Sequence, residues 1–108
     1  MTVRCGSSGR SDQNCIIRTG ESHFWLQGKV NDVNFRGITF QQAAQTSFLG
    51  YANFGSDASF FDCVWDSNEG EYGAAINIWH ELDEVRMEIS LYNCTFSNNT
   101  SKASVIYN

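Results

Sequence analysis

Seven carboxylates, Asp66, Glu69, Glu71, Glu81, Asp83, Glu84 and Glu88, fall within residues 66–88. Carboxylate oxygens suit Ca²⁺, and Glu69, Glu71, Glu81 and Asp83 are the set that could hold it. β-Elimination on a uronate would also need a base to take the proton beside the sugar carboxylate. Arg36 and Arg86 are the available candidates, and neither sits in a recognisable motif. Glycoside hydrolysis needs two carboxylates at a set separation, and a run of acids does not place a pair. The plainer reading is a solvated acidic loop, so no catalytic residue is assigned.

Four cysteines are the other chemistry-bearing group: Cys5, Cys15, Cys63 and Cys94. Cys5 and Cys15 bracket a loop of small polar residues. A disulfide would close it if the Cα atoms lie close enough, which sequence alone leaves open. A structural zinc site needs four ligands at closing geometry. His23 and His80 do not share a repeat position with the cysteines, so no metal site is assigned. The sequons at Asn93, Asn98 and Asn99 would permit glycosylation on a secretory route.

Composition narrows the partners. Seven basic residues against twelve acidic ones give a net charge of −5. Nucleic acid and anionic membrane faces both call for a basic footprint, so neither is expected as partner. No apolar run approaches the ~20 residues that span a bilayer. Residues 1–6 contain no apolar h-region, so no signal peptide is expected in this sequence. Aromatics make up 14%, glycine and asparagine are frequent, and proline is absent. β-Formers and turn formers therefore outweigh helix formers, and an all-β fold is expected.

The elements that must position these groups come from a repeat. Asn14-Cys15-Ile16-Ile17, Gly37-Ile38-Thr39-Phe40, Asp62-Cys63-Val64-Trp65 and Asn93-Cys94-Thr95-Phe96 align in register. Their second positions, 15, 38, 63 and 94, are spaced by 23, 25 and 31 residues. Such periods indicate solenoids, propellers or arrays. Asn14, Gly37, Asp62 and Asn93 form a column of the residue types that tolerate positive φ, which a sharp corner between strands requires. Upstream, Val33, Ala58 and Ile89 form one apolar column, and Phe35, Phe60 and Leu91 the next. Downstream, Cys63 and Cys94 are expected to be direct neighbours, and Ile17, Phe40, Trp65 and Phe96 to stack inward. These columns alternate with period two, as strands with one buried face do. The outward positions include Arg36, Phe61 and Tyr92, an aromatic-plus-arginine strip that could stack sugar rings. A second outward column, Ile16, Thr39, Val64 and Thr95, reads as β-propensity.

Phe96-Ser97-Asn98-Asn99 and Trp65-Asp66-Ser67-Asn68 carry a Phe/Trp-x-x-Asn pattern. Gly73-Ala74-Ala75-Ile76 and Ala103-Ser104-Val105-Ile106 carry a degraded Gly-Gly-Ala-Ile. Together they resemble the repeats of right-handed parallel β-helix proteins of the pectate-lyase-like superfamily, especially the polymorphic outer-membrane-protein type. Phe40-Gln41-Gln42-Ala43 departs from the pattern, lacking the asparagine. The resemblance implies a single β-helix domain over residues 1–108, with residues 1–13 irregular, residues 14–108 forming three to four coils, and open ends that meet further coils or another chain. It further implies part of a longer solenoid that is secreted or displayed on a cell surface. The leading functional expectation is a non-catalytic module that binds a polysaccharide or cell-surface glycan. The alternatives are a fragment of a polysaccharide lyase or hydrolase and a structural spacer.

Overall fold

A computed structural model describes residues 1–7, 15–27, 32–51, 56–79 and 87–107. Within them the chain is all-β and has no helix, and hence none long and apolar enough to cross a membrane. Each repeat supplies three principal strands. The first gives Thr2–Arg4 (β1), Cys15–Arg18 (β2) and Phe24–Gln27 (β3). The second gives Val33–Arg36 (β4), Ile38–Gln41 (β5) and Phe48–Tyr51 (β6). The third gives Ser56–Phe61 (β7), Val64–Asp66 (β8), the two-residue Glu69–Gly70 (β9) and Ile76–Trp79 (β10). The fourth gives Met87–Tyr92 (β11), Thr95–Ser97 (β12), Thr100–Ser101 (β13) and Ile106–Tyr107 (β14).

Corresponding strands pair side by side, all in parallel. The sheet orders are β1-β4-β7-β11, β2-β5-β8-β12 and β3-β6-β10-β14, with β9 and β13 forming a small fourth sheet. Equivalent residues of successive repeats are direct partners: Val33 faces Ala58 and Ala58 faces Ile89, while Phe40 faces Trp65 and Trp65 faces Phe96. A one-residue slip would turn every buried side chain outward, so the period-two alternation fixes this register.

The buried faces build one core. Phe35, Phe40, Phe48, Phe60, Trp65 and Ile76 are fully buried. Phe35 and Phe60 stack at 4.9 Å, Phe40 and Trp65 at 5.0 Å, and Trp65 and Phe96 at 4.9 Å. Phe60 also meets Phe48 and Trp65 edge-on, at 5.1 and 4.9 Å. Each buried ring contributes roughly 1.5–3 kcal/mol through removal from water.

Two columns of left-handed residues turn the chain between sheets. Gly37, Asp62 and Asn93 have φ of 71°, 53° and 52°, as the Asn/Asp/Gly column requires. Asn14 lies outside the described residues. The amides of Gly37 and Asp62 donate to the carbonyls of Phe61 and Tyr92 in the following repeat. In the first repeat Cys5 holds the equivalent place, its amide bonded to the Arg36 carbonyl. Cys5 forms a disulfide with Cys15, Cα to Cα 5.5 Å. The second column, Thr19, Gln42, Ser67 and Asn98, has φ of 66°, 59°, 58° and 54°. It follows β2, β5, β8 and β12 and leads to the third sheet.

Asparagine side chains complete this second bend. Asn68 is fully buried. Its Oδ1 accepts from the Ala43 amide and its Nδ2 donates to the Phe40 carbonyl, both at 3.0 Å. Asn99 repeats the arrangement one level on, its Oδ1 accepting from the Asn68 amide and its Nδ2 donating to the Trp65 carbonyl. The Phe/Trp-x-x-Asn spacing thus places a carboxamide against the aromatic residue's carbonyl one repeat back. Where Ala43 replaces asparagine, its amide is the ladder's last donor.

Candidate binding faces

The strip expected from sequence exists. Arg36 faces Phe61 and Phe61 faces Tyr92 in the first sheet, and Arg4 extends the line beyond Arg36. The Arg36 guanidinium carbon lies 3.9 Å from the Phe61 ring centre. The Phe61 and Tyr92 rings stack at 4.7 Å with only 8° between their planes. These groups therefore spend their faces on one another, as a cation–π pair continued by a ring stack. A sugar stacking on this strip would meet ring edges, except at Tyr92.

The second sheet carries a hydrogen-bonded seam on its outward positions. Arg18 Nε donates to Gln41 Oε1 at 2.8 Å, and Gln41 Nε2 donates to Asp66 Oδ2 at 3.0 Å. Ser97 Oγ and Asn98 Nδ2 donate to Asp66 Oδ1. Hydrogen bonds from Gln41, then Asn98 and Ser97, hold the Asp66 carboxyl below its ordinary range. Asp66, one of the seven clustered acids, thus serves the seam. Glu69 is exposed, and Glu71 lies 3.9 Å from Lys102 with both side chains well exposed. Glu81 and Asp83, the other two carboxylates of the calcium set, lie outside the described residues. Among the described residues no three His, Cys, Asp or Glu side chains converge.

The third sheet presents a face that no sequence column anticipates. Its outward positions run Trp25, Leu49, Asn77 along one line and Gln27, Tyr51, Trp79 along the next. Trp25 and Trp79 are 67% and 55% exposed. With Leu49, Gly50 and Tyr51 they bound an apolar depression of about 230 Å³. Trp79 and Leu49 also border a larger groove of about 810 Å³, lined further by Gln45, Thr46, Glu69, Glu71, Tyr72 and Lys102. Asn77 lines the same groove, is only 6% exposed, and its Oδ1 has no hydrogen-bond donor among the described residues. This oxygen is shielded from solvent, as are His23 Nε2 and Trp65 Nε1, which likewise have no hydrogen-bond partner among the described residues.

Gly50 keeps this face flat from behind. A Cβ there would come within 2.6 Å of Met87 Sδ and 2.8 Å of Ile78 Cδ1. The core thus fills the space beneath the strand, and the outward side chains stand on a backed sheet.

No protein-family model matches the chain, and no curated protein or solved structure matches it.

Proposed function

We propose that the chain is a module of a right-handed parallel β-helix that binds neutral glycans without catalysis, in a secreted or cell-surface setting. Four successive repeats, paired in register in three parallel sheets, support the solenoid reading, and parallel crossovers take the right-handed sense almost without exception. The Phe/Trp-x-x-Asn carboxamides support the likeness to pectate-lyase-like repeats. The Cys5–Cys15 disulfide favours an oxidising compartment. The outermost strands pair on one side only among the described residues, and further coils or a second chain would add there.

The observation that carries the binding reading is the exposed pair Trp25 and Trp79, with Leu49 and Tyr51 between them on one sheet. Large exposed aromatics on a rigid surface offer ring faces for the apolar faces of sugars. The neighbouring groove adds hydrogen-bonding side chains, among them Gln45, Thr46 and Lys102, for hydroxyls. Its carboxylates and the chain's net charge of −5 disfavour anionic polysaccharides.

One observation favours a carbohydrate-active enzyme instead. Glu69, Glu71 and Lys102 share the groove, which brings carboxylates and a base to one face. A glycan array run beside a uronate-lyase absorbance assay separates the readings. The binding reading expects retention of neutral oligosaccharides with no rise in unsaturated-uronate absorbance. Turnover without stoichiometric binding would overturn it.

A further inference from the structure

Cys63 and Cys94 are free thiols on adjacent repeats. Cys63 precedes β8 and Cys94 precedes β12, and these strands pair with Thr95 against Val64. The Thr95 amide donates to the Cys63 carbonyl at 3.0 Å. The two cysteines thus sit one strand spacing apart, about 4.8 Å, within the Cα range that disulfides span. The two sulfurs take equivalent places in successive repeats: Cys63 Sγ lies 3.4 and 3.5 Å from the Phe61 and Phe35 carbonyl oxygens, and Cys94 Sγ 3.5 and 3.4 Å from those of Tyr92 and Phe60. Cys63 is fully buried while Cys94 is only partly buried, so Cys94 is the more reachable thiol.

We infer that Cys63 and Cys94 form a vicinal-repeat dithiol that closes to a second disulfide by exchange with a small disulfide oxidant. Cys94 attacks one sulfur of the oxidant, for instance glutathione disulfide. The oxidant's S–S bond breaks, a mixed disulfide forms on Cys94, and one glutathione leaves as thiolate. Cys63 then gives its proton to a departing thiolate and attacks Cys94 Sγ. The mixed disulfide breaks, the Cys63–Cys94 bond forms, and the second glutathione leaves. Two electrons pass from the protein to the oxidant, and two glutathiones are released.

The electrostatics suit this order. The neighbouring thiol is the largest influence on each cysteine. It lowers Cys94 towards about 7, and together with burial it pushes Cys63 well up. Thiolate character therefore gathers on the reachable sulfur, where the first attack must occur. The existing Cys5–Cys15 bond places the chain where such oxidants operate.

The test incubates the whole chain with glutathione disulfide at neutral pH, blocks remaining thiols after unfolding, and digests with trypsin. Cleavage after Arg36, Arg86 and Lys102 puts Cys63 in peptide 37–86 and Cys94 in peptide 87–102. The expected product is those two peptides joined, lighter than their sum by two hydrogens, with a raised Tm for the parent chain. In Cys63→Ala the expected product is a lasting glutathione adduct on Cys94. A lasting adduct on the unaltered chain, or two blocked thiols after prolonged oxidation, would overturn the inference. The unaltered chain decides it even if Cys63→Ala fails to fold.

Discussion

A single carboxamide, that of Asn68, ties three neighbouring repeats together. It serves the Ala43 amide and the Phe40 carbonyl of one, and its Nδ2 meets Asn99 Oδ1 of the other at 3.0 Å. The bonds to Ala43 and Phe40 are buried, so truncation leaves a backbone donor and acceptor unpaired. At about 1–3 kcal/mol for each of the two orphaned groups, Asn68→Ala should cost about 2–6 kcal/mol in urea unfolding. Asn99→Ala should cost less, because Asn99 is only half-buried and water can replace it. Equal losses would mean that the ladder does not hold the bend. At the other bend, Asn93 Nδ2 donates to Asp62 Oδ1 at 3.1 Å. That asparagine, the acceptor position of a sequon, is thus already engaged in stacking one corner on the next.

At the scale of elements, what sequence revealed depended on which constraint acted on each position. The first bend was legible because Gly37, Asp62 and Asn93 are residue types that tolerate positive φ. The second was not: Thr19, Gln42 and Ser67 carry the same φ without belonging to that class. There the conformation is held from outside, by amides bonded across repeats, Thr19 to Gln41, Gln42 to Asp66 and Ser67 to Ser97. The register of the third sheet was legible only at its end, where the Gly-Gly-Ala-Ile pattern aligns Ile76 with Ile106. The connections into it, residues 19–23, 42–47, 67–75 and 98–105, differ in length, so Phe24 and Phe48 do not align with them when the first bend sets the register. Trp25 fell in that unaligned region, and Trp79 beyond the end of the pattern. The strip at Arg36, Phe61 and Tyr92 was found because it immediately precedes the legible bend.

The same connections hold a steric test. A Cβ at Gly70, in β9, would sit 2.6 Å from the Gln45 carbonyl oxygen and 3.0 Å from Ala74 Cα and the Gly73 carbonyl oxygen. All three are backbone and cannot swing away. Gly70→Ala should therefore destabilise by at least the 1–3 kcal/mol or so of an overpacked core. Gly50→Ala meets only the far ends of Met87 and Ile78 and should cost less. Urea midpoints that rank the two the other way round would refute this account of the connection into the third sheet.

At the scale of the whole molecule, the three sheets leave three unlike outer surfaces. The first is a stack of groups satisfied by one another, and the second a seam whose carboxylate is held by Gln41, Ser67, Ser97 and Asn98. The third pairs exposed indoles with a groove lined by polar side chains. Burial and hydrogen bonding explain the first two as parts of the fold. The third is the surface on which the proposed binding rests, through its exposed indoles. The decisive measurement is a calorimetric titration of a neutral oligosaccharide, chosen from an array, into three forms of the chain. The unaltered chain and Phe61→Ala/Tyr92→Ala should bind with similar Kd, whereas Trp25→Ala/Trp79→Ala, altered only at exposed positions, should stay folded and lose about ten-fold or more in affinity. Loss on the Phe61/Tyr92 form with the tryptophan form unchanged would contradict the account and move the site to the first sheet.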